Sequence, residues 1–321
     1  MKKENNKLNK SLNVKKSKFS FFKDIKLNWI LYLMILPATI YFLVFMYLPM
    51  PGAYIAFVNY KISDGIFGSK FVGLDNFKFL ASSGQLWRIT KNTLLYNLVF
   101  IALGNFLQIA FAIMLSEINQ KTFKKTTQSV ILFPHFISYV IVGVFAYNFF
   151  NFENGFVNSI IKSFGGTPID FYASPGIWKY IIVAFNIWKN TGYNMIIYLA
   201  AITGINTDIY EAAYIDGASR LQRIKHITIP MLKPTFILLL LFSLGGILKG
   251  QFDLFYNLIG NNSLLYPQTD IIDTFVFRSL MGQFNFTQSA AAGLYQSVFG
   301  FILVISINYI VKKVQPEYAL F

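Results

Sequence analysis

Apolar residues in this chain come in long runs rather than in the alternation of strands or the spaced stripe of half-buried helices. Residues 29–48 carry no charge and one interruption, Pro37. Residues 93–116 form a second charge-free run, and 126–152 a third that holds Pro134 and His135. The fourth, 180–207, contains one charge, Lys189. The fifth, 234–248, is short, and 229–232 lengthen it if the Lys233 stem reaches the interface. The sixth is 279–311, whose last twenty or so residues suffice to cross. A spanning helix needs about 20 mostly apolar residues. The pattern therefore predicts an all-α integral membrane protein with six transmembrane helices and no sequence-period repeat.

Charge sets the orientation. With the N-terminus inside, the basic segment 1–28, the loop 117–129, the loop 208–233 and the tail 312–321 hold 18 Lys and Arg, against 7 in the outer segments. Lys179, Lys189 and Lys249 lie in or at the edges of runs. The excess predicts both termini in the cytoplasm, with 29–311 as the membrane domain. The first run is followed by Pro49-Met50-Pro51-Gly52 rather than a small-residue cleavage site, and is expected to stay as an uncleaved span.

Composition agrees and excludes. Of 321 residues 55% are hydrophobic and 13% charged, which is far from a soluble enzyme or a disordered chain. The net charge of +14 could suit nucleic acid, but its placement beside spans gives it an orienting role instead. There is no cysteine, so disulfides, thiolate metal sites and Cys nucleophiles are excluded. Two histidines, His135 and His226, make a histidine metal centre improbable. His135 beside Pro134 reads as a packing or interfacial residue, and no metal site is expected. No phosphate-binding Gly-x-x-x-x-Gly-Lys-Ser/Thr and no hydrolase or metalloprotease signature occurs.

The segment 204–234 is the most informative. Asp208 followed by Glu211 suggests a capping box opening a helix. Ile209, Ala212, Ala213 and Asp216 share a face at helical spacing, and Gly217 permits a tight bend. A second short helix with Arg220, Arg223 and Lys225 follows, and Pro230 and Pro234 open the next span. Glu211-Ala212-Ala213, Gly217, Ile227 and Pro230 fall in the register of the EAA loop. The segment thus resembles the permease subunits of binding-protein-dependent ABC importers, with Ile229 where Leu is usual. Further stretches, among them Leu36-Pro37, Phe71-Val72-Gly73-Leu74-Asp75-Asn76-Phe77 and Phe133-Pro134-His135-Phe136-Ile137-Ser138, resemble the LplB-like carbohydrate subgroup.

The resemblance implies a MetI-like, type I importer fold in the bacterial cytoplasmic membrane. It implies a non-catalytic permease that pairs with a second permease, two ATPase subunits and an extracytoplasmic solute-binding protein. ATP and Mg would sit on the ATPase subunits, with no cofactor in this chain. The 204–234 loop would dock on the ATPase, with Glu211 facing basic groups, Ala212 and Ala213 allowing close packing, Gly217 bending, and Asp216, Arg220 and Arg223 on the offered surface. The subgroup implies an oligosaccharide substrate, including acidic fragments of pectin, alginate or glycosaminoglycans.

Substrate contacts are sought among polar residues inside the spans, where a charge is expensive. Asn186, Lys189, Asn190 and Tyr193 share a face, with Asn194 beside them. On the fifth span Ser243 is followed by Gln251 and Asp253. Aromatic rings and amides suit a sugar, yet the same residues also glue helices together. Lys189 would take its counter-charge from an acidic sugar, from Asp253, or from the partner permease. Asp270, Asp273, Thr274 and Phe277 share one face of an outer amphipathic helix, which either meets the solute-binding protein or lies at the headgroups. The rival readings are a self-sufficient secondary sugar transporter, which would need repeats and midplane carboxylates, and a membrane enzyme, which would need a catalytic constellation.

Overall fold

The computed structural model describes residues 21–314 and 317. Most of the basic tail, including Lys2, Lys3, Lys7, Lys10, Lys15, Lys16 and Lys18, lies outside the described residues, as does most of the tail after 314. The chain forms two units, Met1–Ala53 and Tyr54–Phe321. In the first, α1 (Phe21–Leu27) leads into α2 (Trp29–Phe42), which runs on through a π turn at Leu43–Tyr47. Asp24 joins α1 to α2 by accepting hydrogen bonds from the Asn28 amide (2.8 Å) and the Tyr32 hydroxyl (2.6 Å). No residue of α2 is buried, and its apolarity runs all round the helix, as a lipid surrounding requires.

The second unit opens with a short antiparallel hairpin, β1 (Val58–Asn59) on β2 (Lys70–Phe71), with Val58 opposite Phe71. Then come α3 (Asp75–Ser82), α4 (Gln85–Ser116), α5 (Lys121–Leu132), α6 (Tyr139–Phe150), α7 (Phe156–Ser163) and α8 (Pro175–Thr203). After them follow α9 (Thr207–Ile215), α10 (Arg220–Gly245), α11 (Phe252–Ile259), α12 (Ile272–Met281) and α13 (Phe286–Val314). The core is three apolar clusters rather than one. Tyr96, Trp178, Ile182 and Phe255 centre the first, Leu80, Ile89, Ile272 and Phe275 the second, and Leu115, Met195, Tyr198 and Leu232 the third. The long pair α4 and α8 passes through the first and third.

The spans differ from the sequence expectation in four places. Among the described residues four stretches are long and apolar enough to cross a membrane: Trp29–Phe57, α4, α10 and Phe286–Lys313. The expected third span, 126–152, is two helices bent by 94°. Pro134 lies in a 3₁₀ turn at Phe133–Phe136, and Ser138 then caps α6 by accepting from the Ile141 N–H. The expected fourth, α8, has 29 residues and is thus about 43 Å long. That is enough to cross, but its polar stripe lowers its apolarity below that of the others. The expected fifth starts much earlier: α10 is continuous from Arg220, through a π turn at Ile224–Thr228, with Pro230 in the first turn after it and Pro234 inside the helix. The short helix expected to stand alone after Gly217 is the first part of this span. The expected sixth starts later, because α12 ends at Met281 and Phe284 adopts a positive φ of 52° before α13.

Helix α5 approaches α8 backbone to backbone at Gly192, where an added Cβ would meet the Ile131 carbonyl and sit 2.9 Å from the Leu132 Cα. Small residues permit such close packing in membranes. Gly192→Ala is expected to destabilise the protein by about 1–3 kcal/mol through overpacking, read as a lower thermal midpoint in detergent; an unchanged midpoint would mean α5 is not seated there.

Candidate functional site

The break between α5 and α6 leaves carbonyls short of backbone donors: that of Pro134 accepts the Ile137 N–H (3.2 Å), while those of His135 and Ile137 are left to a side chain. Lys189 of α8, 4% exposed, supplies the missing donors. Its Nζ donates to the carbonyls of Pro134 (3.3 Å), His135 (2.9 Å) and Ile137, and lies 4.6 Å from the centre of the Tyr139 ring. A cation is the right group for a helix C-terminus, and in lipid every backbone polar group must find its partner inside the protein. The charge expected to await an acidic sugar or Asp253 is therefore used on the backbone. Asp253 is exposed in the first turn of α11 and forms no ion pair among the described residues.

A second interruption separates α10 from α11, over residues 246–251. Asn97 of α4 donates to the carbonyls of Ile247 (2.8 Å) and Lys249 (3.0 Å). Gln296 of α13 donates to Leu248 O (2.7 Å) and to Asp273 Oδ2 (3.0 Å), and that carboxylate accepts from the Gly250 N–H (2.7 Å). A Cβ at Gly250 would meet the Ile271 Cδ1 and stand 2.6 Å from the same carboxylate oxygen, so a larger residue would have to displace both side chains. Burial holds the Asp273 carboxyl above the usual carboxylate range, against the opposite pull of the Gly250 N–H, the Gln296 amide, its own backbone N–H and the Lys249 charge.

Against the second interruption lies a cavity of ≈ 480 Å³, bounded by α4, α8, α10 and residues 246–251. Its lining is rich in amides: Asn97, Asn105 and Gln108 from α4, and Asn186, Asn190 and Asn194 from α8. Ser243 and Gln251 complete the set, and the buried Asn186 amide donates to Gln251 Oε1 at 2.5 Å. Five of the eight residues expected on the substrate path thus meet in one cavity. Lys189, Tyr193 and Asp253 do not line it. Tyr193 points with Lys189 toward the α5–α6 break, where its ring stacks on His135 at 4.3 Å. Asn97, Asn105 and Gln108 were not anticipated, although their spacing within the apolar run 93–116 puts three amides on one helix. On their other faces α4 and α8 bound a larger, mostly apolar groove of ≈ 1230 Å³, lined by Leu95, Leu103, Phe111, Val183 and Trp188 among others.

All three cavity helices converge on the segment 204–228. Asn206 caps α9 by accepting from the Asp208 N–H (3.0 Å), so the Asp208–Glu211 capping box is not formed. The cap is two residues earlier than expected, where the chain leaves α8. Helix α9 closes on Gly217 at φ +78°, with Ala218 N–H to Ala213 O (2.9 Å) and Gly217 N–H to Tyr214 O (3.0 Å), the Schellman arrangement that a left-handed residue allows. Ser219 and Gln222 then form a reciprocal capping box that starts α10. Arg220 reaches Glu117 at the end of α4 (3.0 Å), Arg223 lies over the Tyr214 ring (5.6 Å), and Tyr210 shares a hydrogen bond with Thr228 (2.9 Å). These contacts fold α9 back against α10. Glu211, Ala212 and Asp216 remain exposed on it, beside the bare apolar side chains of Tyr214, Ile215 and Leu221, which are at least 70% exposed.

The outer acidic cluster turns inward, contrary to the exposed face expected of it. Asp270 precedes α12 and is 1% exposed; Arg278 holds both its carboxylate oxygens (3.0 and 2.8 Å), and Thr274 donates to it (2.9 Å). Burial pulls the Arg278 guanidinium down, but the Asp270 carboxylate overcomes this and raises it above its ordinary value.

Lys189→Met is expected to leave the His135 and Ile137 carbonyls unpaired, at a cost of about 1–3 kcal/mol for each group so orphaned. Lys189→Arg keeps most of the stability, because a guanidinium offers donors enough. Thermal unfolding in detergent measures both, and a Met variant as stable as the parent would remove the structural role.

The family model described as "Binding-protein-dependent transport system inner membrane component" matches residues 18–316. Protein LplB of Bacillus subtilis is 36% identical over 93% of this chain and 93% of its own length. The polygalacturonan/rhamnogalacturonan transport system permease protein YteP of the same organism is 38% identical over 89% of each chain. A solved bacterial alginate ABC transporter, in complex with an alginate pentasaccharide-bound periplasmic protein, contains a chain that superposes with a TM-score of 0.81 at 35% identity, covering 91% of this chain and 97% of that one. The chain belongs to the family of inner-membrane permease components of binding-protein-dependent ABC transport systems, whose ATP hydrolysis takes place on partner subunits.

Proposed function

We propose that this permease forms one half of the membrane path of an ATP-driven oligosaccharide importer, and that its substrates are acidic, uronate-containing chains. One observation carries the reading: the helices that line the amide cavity lead to the exposed segment 204–220. Helix α8 enters it through Asn206, α10 leaves it at Ser219, and the end of α4 is tied to the first residue of α10 by Glu117–Arg220. Amides both donate and accept, which matches sugar hydroxyls. The relatives' pectin-type and alginate substrates, both polyuronates, support the acidic class.

In this reading the chain crosses the membrane six times with both termini in the cytoplasm. It works with a second permease, two ATPase subunits carrying ATP and Mg, and a solute-binding protein on the outside. Helix α9 docks on the ATPase through Glu211, Ala212, Ala213 and Asp216, with Gly217 shaping the turn and Arg220 and Arg223 holding the segment to the spans. Because α10 runs unbroken from Arg220 to Gly245, about 38 Å, a displacement of the docked segment reaches Ser243 as movement of one rod. ATP-driven closure of the ATPase pair would thereby alternate the side on which the cavity opens.

The test is ATP-dependent uptake of oligogalacturonate or oligoalginate by the complete complex in proteoliposomes. Glu211→Lys should cut uptake by about tenfold or more by putting like charges at a docked interface, and should weaken retention of the ATPase during purification. Uptake that needs an ion gradient and no ATPase would favour the secondary transporter instead, and unchanged uptake by Glu211→Lys would remove α9 as the docking element.

A further inference from the structure

We propose that Lys249 is the specificity-determining residue that selects acidic sugar units in the cavity; this rests on the oligosaccharide reading above. The cavity lining holds many amides and hydroxyls but a single charged residue, Lys249. The other intramembrane lysine on hand is committed. Lys189 is 4% exposed, lines no part of the cavity, and gives its ammonium donors to three carbonyls. Lys249 is the reverse case, being exposed and forming no ion pair among the described residues.

Its surroundings explain how an ammonium that makes no hydrogen bond can be aimed here. Lys249 stands in the interruption between α10 and α11, and its backbone is fixed on both sides. Its carbonyl accepts from Asn97, and the next N–H, of Gly250, is held by Asp273. The side chain makes no hydrogen bond or close ion pair in this network. The nearby Asp273 carboxylate accepts from Gly250 and Gln296 and also feels the Lys249 charge. The ammonium can therefore meet a substrate carboxylate without giving up a hydrogen bond, while it stays in the field of Asp273. Asn186 and Gln251 lie in the same lining, two residues from Lys249 in the case of Gln251, so a sugar whose hydroxyls bind those amides brings its carboxylate within reach of a long, mobile stem. A charged hydrogen bond of this kind is worth about ten- to hundredfold in affinity.

The permease–ATPase complex is purified without its binding protein, and affinity is measured for a short oligogalacturonate and for its fully methyl-esterified, uncharged counterpart. Lys249→Gln should weaken binding of the acid about ten- to hundredfold while leaving the ester within about twofold, and Lys249→Arg should restore the acid. Uptake in proteoliposomes should follow the same order. Size-exclusion profiles of the complexes check that each variant is assembled. Equal loss of acid and ester, or no loss of either, overturns the role of Lys249. A parent complex that prefers the ester overturns acidic substrates while leaving the importer standing. A parent that takes up neither sugar overturns the oligosaccharide reading, and the proposal with it.

Discussion

A bilayer gives a broken helix nothing to hydrogen-bond to, and this chain breaks its apolar helices at two places, 133–138 and 246–251. Each break is repaired by side chains from other helices. Lys189 of α8 serves the carbonyls of Pro134, His135 and Ile137, while Asn97, Gln296 and Asp273 serve the backbone of 247–250. The repairs fix more than their own segments. Lys189 locks the α5–α6 corner to α8, and Asn97 locks the α10–α11 corner to α4. The two corners are thus clamped to the helices that carry the amide lining. The amide-lined cavity sits against the second of these breaks, whose Gly246, Lys249 and Gln251 form part of its wall.

The division of the α8 polar stripe shows what the sequence could and could not tell. Asn186, Lys189, Asn190 and Tyr193 lie on one side of a helix that turns about 100° per residue, so they read as a single functional face. The structure splits that face along a line between residues 189 and 190. Asn186, Asn190 and Asn194 turn to the cavity, and Lys189 and Tyr193 turn to the α5–α6 break. Helical spacing gives an angle but not what stands opposite it. The carbonyls that claim Lys189 belong to a segment more than fifty residues away, and they become needy only because Pro134 and Ser138 interrupt a run that reads as one span.

The exposed segment was more legible because its signals are local. Glycine at 217, serine at 219 and glutamine at 222 each act within four residues, and the bend, the left-handed residue and the helix restart follow from them. The continuity of α10 was not legible. Pro230 and Pro234 read as starts because proline lacks an N–H, yet the same lack is tolerated where a π turn at Ile224–Thr228 has already shifted the hydrogen-bond pattern. The inward turn of Asp270 was hidden for a related reason. An amphipathic face looks the same whether its polar side meets water or a buried arginine, and Arg278 lies two turns along the same helix.

The chemistry of the lining bears on the proposed transport rather than on tight binding. A translocation site must hold its cargo and then release it, so many modest contacts serve better than a few strong ones. Neutral amide hydrogen bonds net about 0.5–1.5 kcal/mol each, and they can be exchanged one at a time as a hydroxylated chain moves along the wall. From Asn97 to Gln108 the α4 amides span about 16 Å, which gives such a chain successive places to rest. The charges that could trap it have been placed elsewhere: Lys189 on carbonyls, Asp270 on Arg278, and Asp273 on Gly250 and Gln296. A single ammonium in the lining adds discrimination at one unit of the chain, while the neutral contacts on either side stay exchangeable.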